Sequence, residues 1–76
     1  MKKERLFEMA NDIGDFFKAE PNREEAVNGV FTHIMKFWDP RMKRQIVDLL
    51  DEDDGDLSPI VREAVTRLKT NMENAA

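Results

Sequence analysis

The sequence lacks cysteine entirely, has one histidine and one tryptophan, and contains no long apolar run. Without cysteine, neither a disulfide nor a thiolate metal site can stabilise the fold. No apolar segment approaches the ~20 residues that cross a bilayer. The N-terminal Met1–Arg5 is followed by an amphipathic segment, and not by the apolar core of a signal peptide. These absences predict a soluble, cytoplasmic protein.

An excess of positive charge is also missing. Twelve lysines and arginines stand against 16 aspartates and glutamates, for a net charge of −4. Overall charge therefore disfavours binding to nucleic acid or to an anionic membrane. A chain of 76 residues forms one small domain, and such a domain buries roughly 60% of the surface that its unfolded chain exposes. Its stability should be modest, and contact with a partner would add to it.

Apolar residues recur at helical spacing in four segments, and no segment alternates with the period of two that is typical of strands. We therefore predict an all-α fold, a small four-helix bundle-like domain with short connections that spans residues 1–76. The predicted helices cover residues 3–20, 23–38, 40–50 and 59–72, with a frayed tail at 73–76. The predicted core-facing residues are Leu6, Met9, Ala10, Ile13, Phe16, Phe17, Val27, Val30, Phe31, Ile34, Trp38, Met42, Ile46, Leu49, Leu50, Ile60, Val61, Ala64, Val65, Leu68 and Met72.

Polar residues next to prolines mark the helix boundaries. Pro21 ends the first helix, because the residue before a proline disfavours helical backbone. Asn22 is a favourable N-cap for the second helix. Asp39–Pro40 and Ser58–Pro59 each combine a capping side chain with a proline at the first helical position.

Gly14 lies inside the first predicted helix, where glycine costs about 1 kcal/mol relative to alanine. Ala10 precedes it by one helical turn. Two small residues on one face indicate that another backbone approaches closely there.

Catalytic and metal-binding motifs are not found. His33 is the only histidine, and the chain has no glycine-rich phosphate loop or nucleophile motif. The acid-rich residues 51–56 do not fit an EF-hand, because placing Gly55 at loop position 6 puts Leu50 at position 1 and Val61 at position 12. We interpret them as a solvated loop between the third and fourth helices. No catalytic, cofactor-binding or metal-binding residue is assigned.

The stretch from His33 to Gln45 combines aromatic, proline and basic residues. Trp38 lies at the centre of the second apolar stripe and should be buried, whereas Phe37 lies at its edge. Aromatic, Met and Arg side chains at such an edge are typical of protein–protein interfaces. We predict a structural corner made of Trp38, Asp39, Pro40 and Met42. We predict a partner interface around it, made of His33, Phe37, Arg41, Lys43 and Arg44.

Two alternatives concern the same stretch. His33 could instead be a half-buried residue that donates a hydrogen bond near the turn. The joint at residues 38–41 also resembles a helix-turn-helix, which would bind DNA. The third helix, which would recognise DNA, carries Asp48 and leads directly into the acidic residues 51–56, and these acids would repel phosphate, which disfavours DNA binding. The residues of the basic cluster that such binding would use are Lys36, Arg41, Lys43 and Arg44.

Three blocks of sequence stand in a specific order. They are M-A-N-D-I-G-D-F-F at residues 9–17, His33 followed by F-W-D-P-R-M at residues 37–42, and L-S-P at residues 57–59 followed by Val61 and Ala64. In that order and spacing the chain resembles the small delta subunit of NAD-dependent formate dehydrogenases. The resemblance runs from about Leu6 to Leu68, and F-W-D-P-R-M is its most specific part.

The resemblance implies a subunit of a soluble, cytoplasmic enzyme that interconverts formate and carbon dioxide with NAD. In that family a large catalytic subunit carries a molybdenum or tungsten pterin cofactor and iron–sulfur clusters, and other subunits carry flavin and further clusters. The delta subunit carries no redox centre, in agreement with the absence of cysteine here.

From this resemblance we predict a non-catalytic accessory subunit that binds and supports the large catalytic subunit. A transient assembly factor for cofactor insertion and a small helix-turn-helix regulator are the alternatives. In isolation the chain could also self-associate.

Overall fold

The structure is a computed structural model that describes residues 2–52 and 57–75. Four helices account for most of these residues. They are α1 (Lys3–Phe17), α2 (Arg23–Phe37), α3 (Pro40–Glu52) and α4 (Pro59–Ala75). No strand occurs within these two ranges. The predicted fold class, a small all-α bundle, is confirmed.

The first helix ends earlier than its predicted boundary at residue 20. α1 stops at Phe17, and the N–H of Glu20 donates to the Phe17 carbonyl at 3.0 Å. This bond closes a tight turn directly before Pro21. The turn satisfies one of the last carbonyls of the helix, while Glu20 is kept out of the helical conformation that a following proline disfavours.

The third helix runs two residues beyond its predicted end at residue 50. Asp51 and Glu52 are helical, where the sequence predicted the start of a solvated loop. Lys69 of α4 holds Asp51 through an ion pair of 2.9 Å, which anchors this last turn to its neighbour. The rest of the predicted loop, residues 53–56, lies outside the described residues.

The fourth helix also runs three residues past its predicted end at residue 72. α4 continues to Ala75 through part of the predicted frayed tail, because neither glycine nor proline interrupts the chain there. Residue 76 lies outside the described residues.

Two of the predicted helix caps form. The Asn22 side chain accepts a hydrogen bond from the Glu25 N–H at 3.1 Å, at the start of α2. The Asp39 carboxylate accepts one from the Met42 N–H at 2.8 Å, at the start of α3. Only Trp38 and Asp39 therefore connect α2 to α3.

One hydrophobic core lies among the four helices. α2 and α4 form its most extensive interhelical contact, and α1 and α3 pack against this pair. Leu57, just before α4, is buried in it as well. The buried side chains of the core are Leu6, Phe7, Ala10, Val27, Val30, Ile34, Trp38, Ile46, Leu49, Leu57, Val61, Ala64, Val65 and Leu68.

The apolar stripe of α1 differs from the predicted one. Phe16, predicted to face the core, is 77% exposed, whereas Phe7 is only 3% exposed. The two positions are nine residues apart, which places them on opposite sides of a helix at about 100° per residue. The buried side of α1 is centred on Leu6, Ala10 and Gly14, so Phe7 points inward and Phe16 outward.

The segment that begins α4 lies close to Gly14, as predicted, but it approaches through side chains and not through its backbone. A Cβ atom at Gly14 would overlap with Cγ2 of Val61 and would lie 3.3 Å from the hydroxyl oxygen of Ser58. One turn earlier, the Asn11 side-chain oxygen accepts a hydrogen bond from the Ser58 N–H at 3.0 Å. Gly14 thus allows the start of α4 to dock on α1.

Replacing Trp38 by alanine should destabilise the domain by about 3–5 kcal/mol, since the indole is 6% exposed and fills the core. A loss of this size should abolish folding of the isolated chain. Phe37→Ala is the matched control, because that neighbouring ring is 72% exposed. Circular dichroism during thermal unfolding measures both. Equal melting of Trp38→Ala and the parent would contradict burial of the indole.

Gly14→Ala should lower the free energy of unfolding although alanine favours helix by about 1 kcal/mol. Overpacking against Val61 costs about 1–3 kcal/mol, which outweighs that gain. Val61→Ala removes the obstructing methyl, so the double variant should lose less than the sum of the single losses. Denaturant titration of the parent, the two single variants and the double variant gives a double-mutant cycle. Asp12→Ala, at an exposed position of α1, is the control for helix propensity. Additive losses would rule out the steric explanation.

Candidate partner-binding surface

The joint between α2 and α3 directs two adjacent aromatic rings to opposite sides. Trp38 has extended backbone, with φ −87° and ψ 140°, and its N–H still donates to the Ile34 carbonyl at 3.0 Å. Its ring enters the core, whereas the Phe37 ring is 72% exposed. The Asp39 carboxylate caps α3 and Pro40 begins it. The corner therefore holds Phe37 at the surface.

His33 lies one turn before Phe37 on α2 and is half-buried. The centroids of the two rings are 4.8 Å apart, with an angle of 45° between the ring planes. The imidazole thus supports one side of the exposed phenyl ring. Both alternatives for His33, docking and a purely local role, are compatible with this contact.

A groove runs along the exposed side of α2 beside these two rings. Its volume is about 450 Å³. Phe17, from the end of α1, contributes to its lining from the neighbouring helix. We call it the aromatic groove, and its lining residues are Phe17, Glu25, Asn28, Gly29, Thr32, His33, Lys36 and Phe37.

Gly29 allows Phe17 to lie directly on α2. A Cβ atom at Gly29 would overlap with the Phe17 ring, within 2.5 Å of its Cδ1 and Cε1 atoms. Phe16 packs edge-on against Phe17, with ring centroids 5.0 Å apart and an interplanar angle of 86°. The aromatic surface therefore extends from α2 onto α1. The sequence analysis did not predict Phe16 at the surface. Assigning Phe7 to the core would have placed Phe16 on the opposite, exposed side of α1.

A second groove lies on α3 and has a volume of about 420 Å³. Arg41 and Arg44 line it together with Asp48, as the helical spacing predicted. We call it the arginine groove; Pro40 and Gln45 complete its lining.

The predicted interface residues are therefore divided between two grooves. His33 and Phe37 share the aromatic groove, and Arg41 and Arg44 share the arginine groove. Lys43 is half-buried and lines neither of these two. That one partner covers both grooves stays a prediction.

Two cations of α4, Arg67 and Lys69, form ion pairs with carboxylates on other helices. Arg67 binds Glu24 of α2 at 2.6 Å, and Lys69 binds Asp51 of α3 at 2.9 Å. The hydrogen bond from Arg67, and then its charge, lower the pKa of Glu24. In the second pair, the hydrogen bond to Asp51 raises the pKa of Lys69. Both pairs link α4 to its neighbours.

The basic cluster differs from these paired cations. Within residues 2–52 and 57–75, none of its four side chains has a carboxylate within ion-pair distance. The only acid between Lys36 and Arg44 is Asp39, whose carboxylate accepts the Met42 N–H. The cluster therefore presents uncompensated positive charge beside Phe37.

The described residues include neither a cluster of metal ligands nor a membrane-spanning helix. Among the described residues, no group of three or more His, Asp or Glu side chains is arranged to hold a metal ion. None of the described helices combines the length and hydrophobicity required to cross a bilayer. A third cavity, of about 370 Å³, lies away from the α2–α3 corner, between the end of α1 and the starts of α2 and α4.

Comparison with known proteins gives one match. A family model described as NADH-dependent formate dehydrogenase delta subunit FdsD matches residues 5–65. This range contains most of α1, all of α2 and α3 and the first part of α4, with both grooves. A search of curated proteins and a search of solved structures found no match.

Gly29→Ala should displace the Phe17 ring and reshape the aromatic groove without disturbing the core. The added methyl occupies the space of the ring, while better helix propensity offsets part of the lost contact. The aromatic proton signals of Phe17 should shift in NMR spectra, and the indole N–H signal of Trp38 should not. An unchanged Phe17 spectrum would contradict the contact, and a shifted indole signal would place the disturbance in the core.

Proposed function

We propose, from the premise that this chain belongs to the family of NADH-dependent formate dehydrogenase delta subunits, that it is a non-catalytic accessory subunit. In this proposal it binds and supports the large catalytic subunit of the enzyme complex. Membership of the family assigns the chain to a formate dehydrogenase complex. The choice of the large subunit as the direct partner is the proposal.

The observation that supports docking is the exposure of Phe37 at a fixed corner. An aromatic side chain buries about 150–250 Å² when it is fully enclosed. Aromatic residues next to arginine are enriched among the residues that dominate binding energy. Phe37 is 72% exposed, is supported by His33, and lies beside the start of α3 that carries Arg41. Because the ring is already held in place, a partner could bury it with little loss of conformational entropy.

Arg41 would supply the polar part of the contact. Its guanidinium is exposed and carries no ion pair among the described residues. Arginine can donate two parallel hydrogen bonds to a carboxylate, or bind backbone carbonyls, in a planar geometry. Phe37 and Arg41 together would therefore combine an apolar anchor with a directional one.

A non-catalytic role agrees with the residues of the chain. Iron–sulfur clusters are held mainly by cysteine thiolates, and the sequence contains no cysteine. The single histidine contacts Phe37 at the rim of the aromatic groove. We therefore propose that the molybdenum or tungsten pterin, iron–sulfur clusters, flavin and NAD are all bound by other subunits, and that this chain acts with them in the cytoplasm.

Alanine substitutions test the docking surface. Phe37→Ala and Arg41→Ala should each reduce co-purification with the large subunit, and the double variant should reduce it most. Circular dichroism should report unchanged helicity, because both side chains are exposed. The matched control is Lys18→Ala, which removes an exposed cation just beyond the end of α1. Full co-purification of the double variant would contradict this surface.

Stoichiometry distinguishes a permanent subunit from a transient assembly factor. A permanent subunit should be present in constant ratio to the large subunit in purified, active enzyme. Native mass spectrometry measures this ratio. Fully active enzyme that lacks the chain would favour the assembly factor.

A further inference from the structure

We infer that the partner segment covering the α2–α3 corner is acidic: a short stretch carrying an apolar side chain with carboxylates beside it. This inference rests on the proposed function and adds the chemistry of the partner surface. It is drawn from the cations of the basic cluster, which form no ion pair with the described residues, and from the distribution of charge around the two grooves.

The first observation is a local reversal of charge. The whole chain carries −4, whereas residues 36–44 contain four cations and one acid, a net charge of +3. Cations on α4 are held by carboxylates of this chain, but those of the basic cluster are not, within the described residues. Clustered like charges repel one another and destabilise a small domain. A negatively charged partner would convert that repulsion into attraction.

The second observation is the position of the cations relative to the exposed ring. Lys36 lines the aromatic groove next to Phe37. Arg41 lies four residues beyond Phe37, so their Cα atoms are at most ~15 Å apart. An extended segment of about five residues, at ~3.3 Å per residue, can therefore contact both cations while its apolar side chain meets the ring.

The aromatic groove is also polarised along its length. Glu25 lines it at the N-terminal end of α2, and Lys36 lines it at the C-terminal end. Eleven residues separate them, which corresponds to about 16 Å along a helix. The carboxylates of the partner should therefore lie at the Lys36 end, toward the arginine groove, with the apolar side chain between the two ends near Phe17 and Phe37.

Two other occupants fit this distribution less well. A nucleic-acid backbone would meet Asp48 inside the arginine groove and Glu25 inside the aromatic groove, and each would repel phosphate. A second copy of this chain, related by a two-fold axis at the corner, would bring two basic clusters together. A short protein segment carries its carboxylates at a few positions only, so it can place them beside Lys36 and Arg41 and away from Glu25 and Asp48, whereas every nucleotide carries a phosphate.

Carbodiimide cross-linking of the complex with the large subunit tests the inference, because the reagent joins a lysine amine directly to a nearby carboxylate. Cross-links should run from Lys36 and Lys43 to Asp or Glu residues within one short partner stretch that also contains an apolar residue. Lys18 and Lys2, exposed elsewhere on the chain, are the controls and should cross-link much less.

Charge reversal provides a second, independent measurement. R41E/R44E should slow association with the large subunit by about tenfold or more at low salt, and the difference should shrink as salt is raised. K18E should leave the rate nearly unchanged. Replacing the cross-linked partner carboxylates by lysine should restore association with R41E/R44E and weaken it with the parent chain.

The outcomes separate this inference from the proposed function. A complex that is insensitive to salt and to R41E/R44E, but is still weakened by Phe37→Ala, overturns the acidic partner segment and leaves the accessory role. Absence of any complex with the large subunit overturns both. Salt-sensitive binding of duplex DNA, or a dimer that R41E/R44E disrupts, assigns the basic cluster to another occupant and likewise overturns the inference.

Discussion

Burial of the Trp38 indole at the joint between α2 and α3 is the constraint on which the rest of this structure depends. The backbone leaves the helical conformation at Trp38 to bring the ring into the core. Asp39 then caps the next helix at once, and Pro40 begins it. Only two residues make the connection, so the directions of both helices and the outward position of Phe37 follow from one anchored side chain.

The distribution of charge divides the molecule into two regions. At α4, Arg67 and Lys69 bind carboxylates of α2 and α3, and these pairs link neighbouring helices. Exposed pairs of this kind contribute little to stability individually. At the α2–α3 corner the basic cluster carries no such pairs among the described residues, although the chain has an excess of acids. The cations of α4 thus link neighbouring helices, while those at the corner form no ion pair with the described residues.

Local patterns in the sequence predicted the corner well. A capping residue followed by proline favours the start of a helix through local geometry alone, so Asp39 and Pro40 could be assigned without knowledge of the fold. The inward position of Trp38 followed from helical spacing in the same way. The orientation of α1 could not be predicted as reliably, because Phe7 and Phe16 are both aromatic and only the neighbouring helices decide which is buried.

The sequence predicted which residues share a helix face at the corner but not the shape of the two grooves, and the role of these residues in binding stays a prediction. Helical spacing placed Arg41, Arg44 and Asp48 together, and the structure agrees. Their separation from His33 and Phe37 depends on how α3 turns away from α2, which no local pattern specifies. The role of Gly29 could not be predicted from the sequence either, because it depends on the Phe17 ring that packs against it.

The brevity of the α2–α3 connection has a consequence for how sequences of this kind can diverge. One residue added within the first turn of α3 would rotate the following apolar side chains by about 100°, away from the core. Residues inserted between Trp38 and Asp39 would separate the indole from the cap that follows it. Insertions and deletions among natural homologues should therefore be rare at this joint, even where substitutions elsewhere are frequent.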